Sequence, residues 1–127
     1  MLSHSELIFV KRVKGKGRGV FARQAIAEGS VIERVPVLLA PLEQMNDSVS
    51  CSLLGRYCFL RNRSTVALAL GYGSLYNHSY APNARYDEEA GALMVFTAIR
   101  TISAGEEITI NYNGDPEDKS PVGFEVR

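Results

Sequence analysis

The sequence predicts a mostly-β domain with little helix. Three observations carry this. The apolar runs are short, and Gly, Pro or Asn punctuates them, as expected for strands between turns. Apolar and polar residues alternate through several of these runs, the pattern of a strand with one buried face. One turn-bearing pattern also occurs twice. AIAEGSVI (Ala25–Ile32) and TISAGEEI (Thr101–Ile108) share x-I-x-x-G-x-x-I.

In chain order, LIFVKRV (Leu7–Val13) reads as a first strand and GVFARQAI (Gly19–Ile26) as a second. SVIERVPVLLA (Ser30–Ala40) reads as a third, interrupted at Pro36, which has no N–H to give a ladder. Helix is confined to two short candidates, Pro41–Asn46 and the small-residue run STVALALGYGSLYN (Ser64–Asn77). ALMVFTAI (Ala92–Ile99) is a strand between turn residues. In GEEITINYN (Gly105–Asn113), Ile108, Ile110 and Tyr112 share one face and alternate with Thr109 and Asn111. Tyr112 therefore projects inward at the strand's end, where a buried hydroxyl needs a partner. Gly29 and Gly105 fall where a tight turn takes a positive φ. The twofold echo is either a coincidence of two β-turns or a pair of hairpins packed about a pseudo-twofold axis.

The chain has 127 residues, which suits one domain over 1–127 with a core near 7–112 and a tail over 113–127. Such a chain buries roughly two thirds of the surface its unfolded form exposes. Acidic and basic residues balance at 14 each, so the molecule as a whole is no polyanion binder. The basic groups Lys11–Arg18 and Arg56–Arg63 read as solvated charge, and no direct nucleic-acid contact is expected. Two cysteines, Cys51 and Cys58, make neither a disulfide framework nor a four-ligand zinc site. No apolar run spans a bilayer, and MLSHSELIFV lacks the basic-then-apolar order of a signal peptide. A soluble, intracellular setting without a membrane partner is the default expectation.

Two further segments have the composition of a site. KGKGRGVFA (Lys14–Ala22) carries Gly15, Gly17 and Gly19, which let backbone approach a ligand closely. It is not a phosphate loop, because no Lys-Ser/Thr follows the last Gly, nor a dinucleotide fingerprint, because a strand follows the glycines. Taken alone it serves equally as a flexible hairpin turn. YNHSYAPN (Tyr76–Asn83) gathers amide and hydroxyl groups that either cap a loop or hold a polar ligand. Metal is not expected there, since the other His, His4, lies near the N-terminus.

Together the segments are specific. Gly17-Arg18-Gly19-Val20-Phe21-Ala22, then Asn77-His78-Ser79-x-x-Pro82-Asn83, then Gly105-Glu106-Glu107-Ile108 running to Tyr112, resembles the SET domain of protein lysine methyltransferases. The short chain without cysteine-rich flanks looks most like the minimal viral SET proteins that methylate histones, or a small bacterial SET protein. The resemblance implies a β-clip fold with knot-like C-terminal threading, S-adenosylmethionine as cofactor and a lysine-bearing protein tail, a histone above all, as substrate. It implies cofactor contacts from Lys16, Gly17, Arg18, Gly19, Asn77, His78 and Tyr112. Tyr112 matches the catalytic tyrosine, and Tyr57, Tyr86 and Ile110 join it in lining the lysine channel. Tyr86 restricts the number of methyl groups while Ile110 leaves room, a balance that favours mono- and dimethylation. The family's strand motif usually ends Asp-Tyr, whereas this one ends Asn111-Tyr112. Where relatives with a zinc cluster place Cys, this chain has Tyr80. The tail is left to close the site, with Phe124 over the adenine and Asp115, Glu117 and Asp118 as an acidic rim. A homodimer is implied by the viral likeness alone. Placement follows the source: the nucleus of a host cell for a viral protein, the cytoplasm for a bacterial one. The competing reading is a non-catalytic SET or β-clip module that binds a peptide or ligand without turnover.

Overall fold

The turn chemistry at Gly29 and Gly105 sets the architecture. Both glycines take positive φ, 87° and 84°, a region costly for residues with a Cβ. Each turns its chain so that the isoleucine three residues earlier meets its counterpart. Ile26 and Ile102 pair antiparallel and exchange N–H···O bonds of 2.8 Å in both directions. Both side chains are fully buried.

The structure, a computed structural model, describes residues 6–41, 57–60 and 64–122. These form nine strands and no α-helix: β1 (Ile8–Val13), β2 (Gly17–Ala22), β3 (Val31–Pro41), β4 (Cys58–Leu60), β5 (Thr65–Ala69), β6 (Asn77–His78), β7 (Ala84–Glu89), β8 (Leu93–Ala98) and β9 (Glu107–Ile110). One sheet runs β1-β2-β9-β6 and the other β4-β5-β3-β8-β7. No helix of the described residues is long and apolar enough to cross a membrane.

The repeated octapeptide is the visible part of a larger repeat. Residues 76 apart, such as Ile26 and Ile102, play the same part in the backbone. Gly29 N donates to Ala98 O at 2.8 Å, and Gly105 N to Ala22 O at 2.7 Å. Ala22 N donates to Glu106 O, and Ala98 N to Ser30 O, both at 2.9 Å. Arg23 N donates to Leu7 O, and Ile99 N to Asn83 O. The hairpin registers match as well: Ile8 faces Ala22 as Ala84 faces Ala98, and Val13 faces Gly17 as Glu89 faces Leu93. Across the two units, Phe21 faces Glu107 as Thr97 faces Val31. The pseudo-twofold expectation therefore holds, and it reaches from β1 to the start of β3 and from β7 to β9.

The core lies where the units meet. Ile8, Val20, Ile26, Ile32, Met94, Phe96, Ile102, Ile108 and Ile110 are buried in one cluster. Each fully buried side chain of this size is worth about 1.5–3 kcal/mol.

Three expectations fail here. Ser64–Asn77 is not a helix: β5 occupies Thr65–Ala69, followed by turns and then β6. Ala67, Leu68 and Ala69 have good helix propensity, but β5 is paired on both sides, by β3 and β4. Pro36 does not interrupt β3 either. It stands where β3 changes partner, from β8 through Pro36 to β5 from Val37. There the missing N–H costs little, and its carbonyl still accepts from Leu70 N at 3.0 Å. Finally, β9 ends at Ile110, so the alternation stops before Asn111, which is buried at 1% exposure with Tyr112 only partly so. The Pro41–Asn46 helix candidate lies outside the described residues, apart from Pro41, the last residue of β3.

Asn83, just before β7, ties that hairpin to β9. Its Oδ1 accepts from Thr109 N at 2.9 Å, and its Nδ2 donates to Glu107 O at 2.8 Å. Asn83→Ala leaves the part-buried Thr109 N–H and Glu107 carbonyl without these partners. It should cost about 2–4 kcal/mol of stability, read from urea unfolding. A loss below 0.5 kcal/mol, roughly the scatter of a surface substitution, would contradict this role.

Candidate functional site

The site begins with two residues of parallel strand. Asn77 and His78 pair with Thr109 and Ile110, and Ser79 N continues to Ile110 O at 2.9 Å. This pairing places the Asn-His-Ser segment beside the end of β9, where Tyr112 emerges.

Asn77 reaches across to β2. Its Nδ2 donates to Arg18 O at 3.1 Å and to Glu107 Oε2 at 2.7 Å. Gly19 makes this possible. A Cβ there would stand 2.6 Å from Glu107 Oε2 and 2.9 Å from Asn77 Nδ2, both too close for real contacts. Glu107 also pairs with Lys16, Nζ to Oε1 at 3.7 Å. Lys16, Arg18, Gly19, Asn77 and Glu107 thus form one cluster. Around Gly17 the space is open: nothing lies within 4 Å of where its Cβ would be.

His78 is buried, and its Nδ1 accepts from Tyr112 N at 3.0 Å. An accepting Nδ1 fixes the neutral tautomer with its proton on Nε2. Burial pushes the imidazole pKa below its ordinary value. Tyr80 meets the His78 ring edge-on at 4.5 Å, and Tyr112 lies tilted at 5.2 Å.

Tyr112 donates its hydroxyl proton to Tyr76 O at 2.6 Å. Burial first, then the charge on Glu107 and the neighbouring Tyr57, push its pKa up to about 12. Tyr76 is held in turn: its hydroxyl donates to Glu33 Oε1 at 2.8 Å, and its ring stacks on Phe96 at 4.5 Å. Tyr86 donates to Tyr112 O at 3.1 Å and packs against Phe59 at 4.7 Å. Its own pKa also rises to about 12, from burial and then from Glu88 and Asp87.

Of the residues expected to act together, Tyr112, Tyr86 and His78 are joined by direct bonds, Asn77 precedes His78 in β6 and reaches toward β2, and Tyr57 stands near Tyr112 at the solvent edge, 40% exposed. Ile110 is fully buried in the core cluster. Phe124 lies outside the described residues. Sequence reading missed Glu107, Tyr76 and Glu33. Glu107 was legible in principle: it alternates with Ile108 on β9, which puts its carboxylate on the face where Gly19 leaves room. The Glu33–Tyr76 bond spans 43 residues and carries no local signal.

Residues 17–113 match the model of the SET domain family. The chain belongs to the SET-domain family. This SET domain is 31% identical over 104 residues to the Schizosaccharomyces pombe histone-lysine N-methyltransferase specific for H3 lysine-37, an alignment covering 81% of this chain and 71% of the relative. It also superposes on the crystal structure of a Plasmodium falciparum protein assigned as a histone methyltransferase, with a TM-score of 0.70 and 27% identity, covering 87% of this chain and 95% of that one. The expected SET fold is therefore the fold observed.

His78 makes the SET domain's stability pH-dependent. Its folded pKa lies below the ordinary 6.5, so protonation favours the unfolded chain. The stability it contributes is complete above 6.5 and is lost as pH falls from there through the folded value. Urea midpoints should fall between about pH 7.5 and pH 5.5, the range in which a histidine titrates, and fall less in His78→Gln. Equal slopes in the two proteins would contradict the assignment.

Proposed function

We propose that this SET domain, a protein-lysine methyltransferase, takes its methyl group from S-adenosylmethionine and delivers it to a lysine of a histone tail. The carrying observation is Tyr112: its amide is fixed by His78 and its hydroxyl by the Tyr76 carbonyl. The histone assignment rests on the two similar proteins, one a histone-lysine N-methyltransferase and the other assigned as a histone methyltransferase.

The residues fit the cofactor. The open backbone at Gly17, the Lys16–Glu107 pair and the Asn77 amide lie together at one end of β6 and β9. Lys16, Gly17, Arg18, Gly19, Asn77 and His78 would hold S-adenosylmethionine there. Bound, it supplies a methyl group on a sulfonium sulfur.

The chain's own task is to present a neutral amine in line with that group. A free lysine has a pKa near 10.4 and is almost wholly protonated at neutral pH. Tyr86 packs on Phe59 and bonds Tyr112, and an amine taken out of water beside them would have its ammonium form disfavoured by desolvation. A phenol with its pKa near 12 keeps its proton at neutral pH, so Tyr112 orients and does not abstract. Its proton is committed to Tyr76 O, which holds the hydroxyl in one orientation. Transfer of that methyl group to the neutral amine would be a direct displacement at carbon with the sulfur as leaving group, so this chain's residues would need to supply no covalent intermediate. Alignment then supplies much of the rate.

Phe124 over the adenine, closure of the site by residues 113–127 and limitation of methyl number by Tyr86 belong to the same reading.

The test is labelled methyl transfer from S-adenosylmethionine to a histone panel. Wild type should label a histone, and Tyr112→Phe should label it about 100-fold more slowly, the cost of losing precise alignment. Equal incorporation by both proteins would overturn the role of Tyr112. No incorporation by wild type on any histone would overturn the substrate.

A further inference from the structure

The segment after Tyr112 is held down by side chains that flank the candidate cofactor and catalytic residues. Asn111 Nδ2 donates to Asp118 O at 2.6 Å and to Pro116 O at 3.4 Å, and Asn111 Oδ1 accepts from Asn113 N at 2.9 Å. Asn113 Nδ2 donates to Ser120 O at 2.8 Å. Tyr80 OH donates to the same Ser120 carbonyl at 2.9 Å, and Lys119 Nζ donates to Tyr80 O at 2.7 Å. Within the strap, Asp115 Oδ1 accepts from Glu117 N and Asp118 Oδ1 from Ser120 N.

Two features set these contacts apart from ordinary tail packing. The anchors sit at special positions in the chain: Asn111 and Asn113 bracket Tyr112, and Tyr80 follows His78 by two residues while its ring meets the imidazole edge-on. The Asn111 chemistry also requires an amide. Its buried nitrogen gives to backbone carbonyls, which a carboxylate at that position could not do.

We propose that Asn111 and Tyr80 are positioning residues that staple the strap of residues 113–122 across the His78–Tyr112 junction, so that cofactor affinity depends on the docked strap. Asn111 holds it from the catalytic side. Tyr80 holds it from the cofactor side, using its hydroxyl for the strap and its ring for His78. The coupling to cofactor rests on the proposed function; the staple itself does not.

Two readouts on the full chain separate these parts. Trypsin cleavage after Lys119 reports strap release, and calorimetric titration with S-adenosylmethionine reports affinity. Tyr80→Phe keeps the ring on His78 and removes one strap bond. Asn111→Asp keeps size and the acceptor for Asn113 N but turns a carboxylate toward Asp118 O and Pro116 O. Both variants should be cut at least several-fold faster than wild type. Cofactor Kd should rise about tenfold, the equivalent of one lost hydrogen bond, more in Asn111→Asp than in Tyr80→Phe. Tyr80→Phe, at a partly exposed position, gives the answer even where Asn111→Asp fails to fold. Cleavage at the wild-type rate would overturn the staple. Faster cleavage with unchanged Kd would overturn the coupling. A wild type that binds no cofactor overturns the functional reading and the coupling with it, while cleavage still judges the staple.

Discussion

The site depends on two residues of parallel pairing, Asn77–His78 against Thr109–Ile110. Parallel neighbours need a long connection, and here that connection contains most of the second unit, β7, β8 and the Gly105 turn. The reciprocal bonds of Ile26 with Ile102 lock this unit against the first. That lock returns the chain so that β9 enters between β2 and β6. Tyr112 then leaves β9 beside His78, and the imidazole and the Tyr76 carbonyl fix it at both ends.

The two units share a backbone frame, and their side chains divide the labour. In the first unit the hairpin carries Gly17 and Gly19, and at Gly19 the missing side chain makes room for Asn77 and Glu107. The corresponding positions of the second unit are Leu93 and the buried Val95, so that hairpin is part of the packing. Conversely, Leu7 in the first unit is replaced by Asn83 in the second, whose amide clamps β9. A symmetric scaffold thus supplies rigidity, and a few unsymmetrical positions supply the site.

Much of this was legible in the sequence. The β class followed from punctuated apolar runs, and the pseudo-twofold showed through eight residues because its turns need glycine. Asn77, His78 and Tyr112 were singled out by their order along the chain, and the structure brings them together. What escaped was set by tertiary contact. Ala67–Ala69 looks helical until β3 and β4 pair on either side of it. Asn111 lost its place on the outward face once β9 ended one residue earlier and the strap carbonyls arrived. Glu33 and Tyr76 meet only after folding.

The central claim is that the glycine turn, Asn77 and the Tyr112 junction form one cofactor site. Calorimetric titration of wild type and Asn77→Ala with S-adenosylmethionine tests it most directly. The account predicts saturable binding by wild type and at least about tenfold weaker binding by Asn77→Ala, one lost polar contact or more. Equal affinity of the two proteins, or no binding by wild type, would contradict it.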